Sequence, residues 1–148
     1  MTMNTKFQER TAVLATLDPA SVGVSTVLTA YVPTANFHGI AALVDVGVFG
    51  AAATVDAKLR QAQDATGTGV KDIAGKAITQ LVAAGGNNRQ VIVECRPEDL
   101  DTTGGFAFVC LSVTVGTAAT QLSAALLGVN PRYLTAASFN QAGVAQLV

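Results

Sequence analysis

The chain has 148 residues, enough for one domain with a real core, and a formal net charge of −1, which lacks the basic face that nucleic acid binding requires. The polar start MTMNTKFQER has no apolar signal region, and no apolar run is long enough to span a bilayer, so synthesis in a cytoplasm and no membrane partner are expected. Half of the residues are hydrophobic but only 13% are charged, about half the usual share of roughly 25%, a surface easier to understand if other subunits cover part of it.

Residues 1–23 read as a polar N-terminal arm with one apolar patch, Ala12 to Leu17. TVLTAYVP then begins a sheet. In HGIAALVDVGVF the residues Ile40, Ala42, Val44, Val46 and Val48 share one phase and Ala41, Leu43, Asp45 and Gly47 the other, which is the period of a strand with at least one buried face. ATVDAKLRQAQ alternates more cleanly, with Val55, Ala57 and Leu59 toward a core and Thr54, Asp56, Lys58 and Arg60 outward; a helix would scatter those charges. KAITQLV reads as a short strand, and RQVIVECRP as a strand around Val91, Val93 and Cys95 that stops at Pro97. GFAFVCLSVTVG is apolar in both phases, which predicts a central strand. TQLSAALLGV would also suit a helix, but its neighbours are strands and Gly128 followed by Pro131 is expected to end it. The tail, residues 135–148, is mildly apolar and nearly uncharged, so it is expected to dock, on its own domain or on a neighbour.

Gly85-Gly86, Asn87-Asn88 and Gly104-Gly105 supply turn chemistry between these runs. Several short strands separated by such turns predict an all-β sandwich or barrel of one domain, residues 1–148, with the core in 24–134 between the two arms. Cys95 and Cys110 lie in segments that could pair as neighbouring strands, which makes a bridge geometrically conceivable; two buried free thiols is the preferred reading.

The residues offer little catalytic chemistry. His38 is the only histidine and has no recognisable nucleophile motif beside it. Cys95, Cys110 and His38 lack zinc-ligand spacing, and the acids of Glu98–Asp101 lack the calcium-loop pattern, so no metal is expected. The segment Asp56–Leu81 gathers three acids, four basic residues and a Thr-Gly-Thr-Gly corner, which raises a phosphate loop as a question. It fails on local pattern: Gly75-Lys76 is followed by Ala77, not Ser or Thr, and Asp72 stands where a dinucleotide fingerprint needs its third glycine. No catalytic residue and no cofactor are expected.

ATVDAKLRQAQDATGTGVKDIAGKAITQL, RQVIVECRPEDLD, GFAFVCLSVTVG and ALLGVNPRY together resemble small virion structural proteins of tailed bacteriophages, over a span from Phe37 to Tyr133. The resemblance implies a jelly-roll-like antiparallel β-sandwich with N- and C-terminal arms that acts as a capsid decoration, or cement, protein. The partners it implies are the major capsid protein and further copies of the chain, as a homotrimer, on the exterior of the virion. Capsid or subunit contacts are then expected on the arms, around Phe7, Arg10 and Leu14, with Phe139 and Leu147 as the alternative. A β-sandwich module for carbohydrate or host-surface recognition is the competing expectation, weakened by the lack of tryptophan for a sugar platform. An enzyme ranks last, because one histidine and few acids hardly furnish a pocket of convergent titratable groups.

Overall fold

The computed structural model describes residues 4–148. The first regular element is a single helical turn, α1 (Phe7–Arg10). Ten strands follow: β1 (Thr11–Val22), β2 (Ser25–Leu28), β3 (Val32–Pro33), β4 (Phe37–Phe49), β5 (Thr54–Ala62), β6 (Lys71–Ala77), β7 (Leu81–Val82), β8 (Arg89–Cys95), β9 (Phe108–Gly116) and β10 (Thr120–Pro131). Short 3-10 turns sit at Pro97–Asp99 and Ala136–Phe139.

Sheet A has the order β1-β10-β4-β8 and sheet B the order β2-β9-β5-β6, with β3 added to β9 and β7 to β5; every pairing is antiparallel. Successive strands cross between the sheets except where β2 runs on into β3 and where β5, β6 and β7 follow one another, all within sheet B, and the orders β1-β10-β4-β8 and β2-β9-β5-β6 are those of a jelly roll. The core lies between the sheets. Val44, Val46 and Leu126 from sheet A meet Val55, Leu59, Leu111 and Val113 from sheet B, all fully buried. Each such side chain contributes about 1.5–3 kcal/mol of apolar burial.

β9 lies between β2 and β5, as its two apolar phases predict. Val109, Leu111, Val113 and Val115 face the core, while Cys110 and Ser112 face outward yet are also buried. β10 also lies inside its sheet, between β1 and β4. It continues through Gly128, whose missing side chain leaves room for the Phe37 ring.

Four expectations are corrected. The arm of residues 1–23 becomes strand from Thr11 onward, paired along β10. Register shifts between Val13 and Ala15 and between Leu17 and Ala20 insert extra residues, among them Leu14 and Pro19. They break the two-residue period that would have marked a strand, although Ala12 and Ala15 are core residues. Val48 leaves the phase of Ile40–Val46 for the same reason: the β4–β10 register shifts between Thr120 and Leu122, so Val48 is exposed and Phe49 buried. The strand expected over KAITQLV is split into β6, which starts at Lys71, and the two-residue β7; Gly75, with φ +75°, sits where the β5–β6 register shifts. Cys95 and Cys110 are not on neighbouring strands, because β8 pairs with β4 and β9 with β2, β3 and β5. Cys95 faces the core from sheet A, whereas Cys110 lies opposite Arg60 on the far side of sheet B; both are free and buried.

The tail docks on its own domain. Ala136 is fully buried, and Phe139 meets Phe37 edge to face at 5.2 Å between ring centroids. Val13 N–H donates to Asn140 Oδ1 at 2.8 Å, and Gln141 N–H donates to Val13 O at 2.8 Å, which satisfies the outer edge of β1 at Val13.

Candidate functional site

The Thr-Gly-Thr-Gly corner follows β5. Asp64 accepts the N–H and Oγ1–H of Thr66 at 2.9 and 2.7 Å and those of Thr68 at 3.1 and 2.6 Å. These bonds, led by the Thr68 hydroxyl, hold its carboxyl far below the usual carboxylate range. The loop thus supplies its own anion: the Thr66 and Thr68 amides, which a phosphate loop would turn to its ligand, already bond a carboxylate. Gly67 and Gly69 take φ of +89° and +67°, and a side chain at Gly67 would strike the Tyr31 ring at 2.8 Å. Both glycines serve backbone geometry.

The outer side of sheet B carries charges that neutralise one another. Lys58 and Arg60 donate to opposite oxygens of Asp72 at 2.8 and 2.9 Å, and Lys71 pairs with Asp101 at 2.6 Å. The Lys71 ammonium also lies 4.3 Å from the centroid of the Phe106 ring. The hydrogen bond from Lys58 is the largest cause that holds the Asp72 carboxyl below its usual range. The predicted outward phase of Asp56, Lys58 and Arg60 is present, with Val55, Ala57 and Leu59 buried.

The outer side of sheet A differs. The register places Ala125, Leu43 and Ile92 in one row across β10, β4 and β8, and Val13, Leu127 and Ala41 in the next across β1, β10 and β4. Leu43 is 38% exposed and Ile92 70%. This apolar band is flanked by two depressions. One, of about 590 Å³, is lined by Ser21, Asp45, Asn88, Gln90, Gln121 and Ser123, where Gln90 Nε2 donates to Asp45 Oδ1 at 2.9 Å. The other, of about 560 Å³, is lined by His38, Lys76, Glu94, Arg96, Glu98 and Asp99 among others. In it Asp99 accepts the Arg96 N–H at 2.8 Å and pairs with Lys76 at 3.5 Å; the backbone bond chiefly holds its carboxyl below the usual range. Beneath this depression, burial pushes the Cys95 thiol up to about 12. Among the described residues no group of three or more His, Cys, Asp and Glu side chains is placed to hold a metal ion. An apolar centre with hydrogen-bonding margins is the anatomy of a protein–protein contact.

The two arms, treated as alternatives in sequence, lie together: α1 packs against the 3-10 turn of the tail, and both adjoin β1. Phe7 is 72% exposed on α1. Arg10 donates from Nε and Nη2 to Asn130 Oδ1 at 3.3 and 3.2 Å. Leu14 is the bulge residue of β1, half-buried against the core, and Phe139 packs on Phe37. Leu147 is exposed near the chain end. Of the five residues singled out, Phe7 and Leu147 are therefore free for contact, and Arg10, Leu14 and Phe139 have partners within the domain.

The outer face of sheet A was not among the candidate sites. Its signal was present in the off-phase positions of β4, β8 and β10, where Ala41, Leu43, Ile92, Ala125 and Leu127 are apolar although they point away from the sandwich core.

No family model matches the chain. No curated protein matches it either. Among solved structures it is similar to a chain of Triatoma virus, at 9% identity and a TM-score of 0.48, over 95% of this chain and 74% of that one. A chain of broad bean stain virus gives 11% identity and a TM-score of 0.46, over 88% and 90%. The C-terminal family 22 carbohydrate binding module of Clostridium thermocellum Xyn10B gives 16% identity and a TM-score of 0.38, over 86% and 90%.

Proposed function

We propose that the chain is a non-enzymatic virion structural protein that binds the outside of a bacteriophage capsid as a decoration or cement protein. The observation that carries this reading is the unequal treatment of the two sheets. Sheet B turns paired charges to its surroundings, whereas sheet A turns out an apolar band with polar margins, next to the joined N- and C-terminal arms. The segments that resemble tailed-phage virion proteins supply the particle. The partners in this reading are the major capsid protein and further copies of the chain, arranged as a homotrimer on the capsid exterior.

The test is binding to purified, undecorated shells, read by co-sedimentation and by cryo-electron microscopy. Leu43→Lys should weaken binding while Lys58→Glu, on sheet B, should not. Removal of residues 1–10, of which the first three lie outside the described residues, should also weaken binding and leave the jelly roll folded, because the core begins at Ala12. Unchanged shell binding by Leu43→Lys would remove the sheet A face from the reading, and the same result for the truncation would remove the arm.

The amide-lined depression beside Gln90 and Gln121 favours a second reading, a carbohydrate or host-surface module on the particle. Neither depression has a Phe or Tyr in its lining, so a stacked sugar ring lacks its usual platform. Binding on a glycan array that Gln121→Ala abolishes would favour it.

A further inference from the structure

We infer that β8 is a strand-addition edge for a second copy of this chain, which pairs antiparallel across a two-fold axis at Ile92. This goes beyond the proposed capsid role and can be tested without a capsid.

A jelly roll has four sheet edges, and an unpaired edge invites pairing with another chain. Three of them carry protection here. The β1 edge holds two bulges and Pro19 and is covered by Asn140 and Gln141. The β2 edge is four residues long, and its continuation β3 is two residues ending in Pro33. The β6 edge is bent at Gly75 and bears Lys71, Asp72 and Lys76. β8 has no proline, glycine or bulge: it runs seven residues in unbroken register with β4, and its two charges, Arg89 and Glu94, lie toward its ends and leave the centre at Ile92 uncharged.

Its free backbone groups can be assigned. Asn88 N–H donates to Gly47 O at 3.0 Å, one step beyond the Val46–Arg89 pair. Hydrogen-bonded pairs alternate along an antiparallel ladder, so Gln90, Ile92 and Glu94 turn their backbones to β4 while Val91 and Val93 turn theirs away. Among the described residues, the backbone of residues 89–95 makes no bond outside the β4 ladder.

The edge is self-complementary. Residues opposite one another must share a face, which permits only even steps of register. Centred on Ile92, the pairing sets Val91 against the second copy's Val93 twice, for four backbone bonds. Ile92 then lies against its own copy, and uncharged Gln90, whose amide donates to Asp45, lies against Glu94 on both sides, so that no like charges meet. A shift of two residues either way would oppose Ile92 to a polar chain. Cys95 is almost wholly covered, so the contact is short and weak alone. A two-fold contact does not close a trimer; on a shell it would link neighbouring oligomers and gain from their tethering.

The experiment is cysteine capture on the folded full chain. In a pair without mutual hydrogen bonds the two side chains lie within disulfide reach, so Ile92→Cys should yield a covalent dimer of twice 15.0 kDa under mild oxidation. The native thiols, both buried, do not compete. Val91→Pro in the same protein removes an outward donor but no β4 bond, and should suppress the dimer; Val48→Cys, exposed elsewhere, should not form it. Sedimentation of the unmodified chain should show mass rising with concentration, with Ile92→Lys weakening the association roughly tenfold. Circular dichroism confirms folding of each variant. Cross-linking of Ile92→Cys no faster than Val48→Cys, or indifferent to Val91→Pro, would overturn the inference and leave the edge to a different partner. Shell binding is a separate measurement, so either reading can fail alone.

Discussion

Replacement of Gly128 by alanine is expected to destabilise the domain by about 1–3 kcal/mol, the usual cost of an extra methyl in a packed core. Gly128 faces inward on β10, opposite Ile40 and Ala12. A Cβ there would stand 2.6–2.7 Å from three atoms of the Phe37 ring, well inside the roughly 3.5 Å at which carbon atoms attract. The ring cannot simply yield. It is 1% exposed and is held on another side by Phe139. For a chain of 148 residues, the loss corresponds to a fall in Tm of about 3–9 °C in thermal unfolding followed by circular dichroism. The mechanism predicts more than the fall. Phe37→Leu removes the struck ring, so the double variant should be more stable than the sum of the two single costs allows, by roughly 1 kcal/mol or more. Displacement of Phe37 should also loosen Phe139, so chymotrypsin should nick the tail of Gly128→Ala at Phe139 before the sandwich itself. Strict additivity, or a tail as resistant as in the unmodified chain, would refute the steric argument.

Two further predictions concern ionisation. Burial pushes the Cys95 thiol up to about 12 and raises that of Cys110, so neither should react with Ellman's reagent at pH 8 until the protein is unfolded; rapid native labelling of either would contradict its burial. Unfolded thiols ionise near pH ~8.5, so their contribution to stability is complete below that and is lost as pH rises toward the folded values. Asp72, Asp99 and Asp101 are held below the usual carboxylate range, first by Lys58, the Arg96 N–H and Lys71 respectively. Their contribution is present above the unfolded value of about 3.9 and is lost below it. Tm should be flat from neutral pH down to about 5 and then fall, less steeply in Asp72→Asn; because these pairs are exposed, the difference should be small.

The legible parts of the fold were those where the chain keeps one period. β5 and β8 were readable because Val55, Ala57 and Leu59, and Val91, Val93 and Cys95, alternate without interruption. β1 was hidden because bulges at Leu14 and near Pro19 put its buried residues at spacings that no simple period describes. The β6–β7 split was hidden because its cause, the left-handed Gly75, looks like any other glycine in sequence. The contact surface was harder still. An apolar residue in the outward phase is covered in β9, where Cys110 is fully buried, and open in β8, where Ile92 is 70% exposed. What separates the two is position in the sheet order, which pairwise register determines and local pattern does not contain.

That ambiguity bears on function. Charge on a strand's outer phase is self-sufficient when the neighbouring strand brings the opposite sign, as Lys58 and Arg60 find in Asp72. An apolar outer phase has no such local remedy: among the described residues Leu43 stays 38% and Ile92 70% exposed. At some other outward positions the chain supplies its own cover. Tyr31 lies against Gly67 and beside Cys110, and the tail reaches back to the β1 edge. The band on sheet A and the bare edge of β8 are adjacent, and Ile92 belongs to both. A partner that covered only the band would leave the β8 backbone in water, and one that paired only with the edge would leave Leu43 uncovered. Use of both requires two partners meeting at Ile92, and the proposed shell contact and the proposed β8 pairing are two such partners.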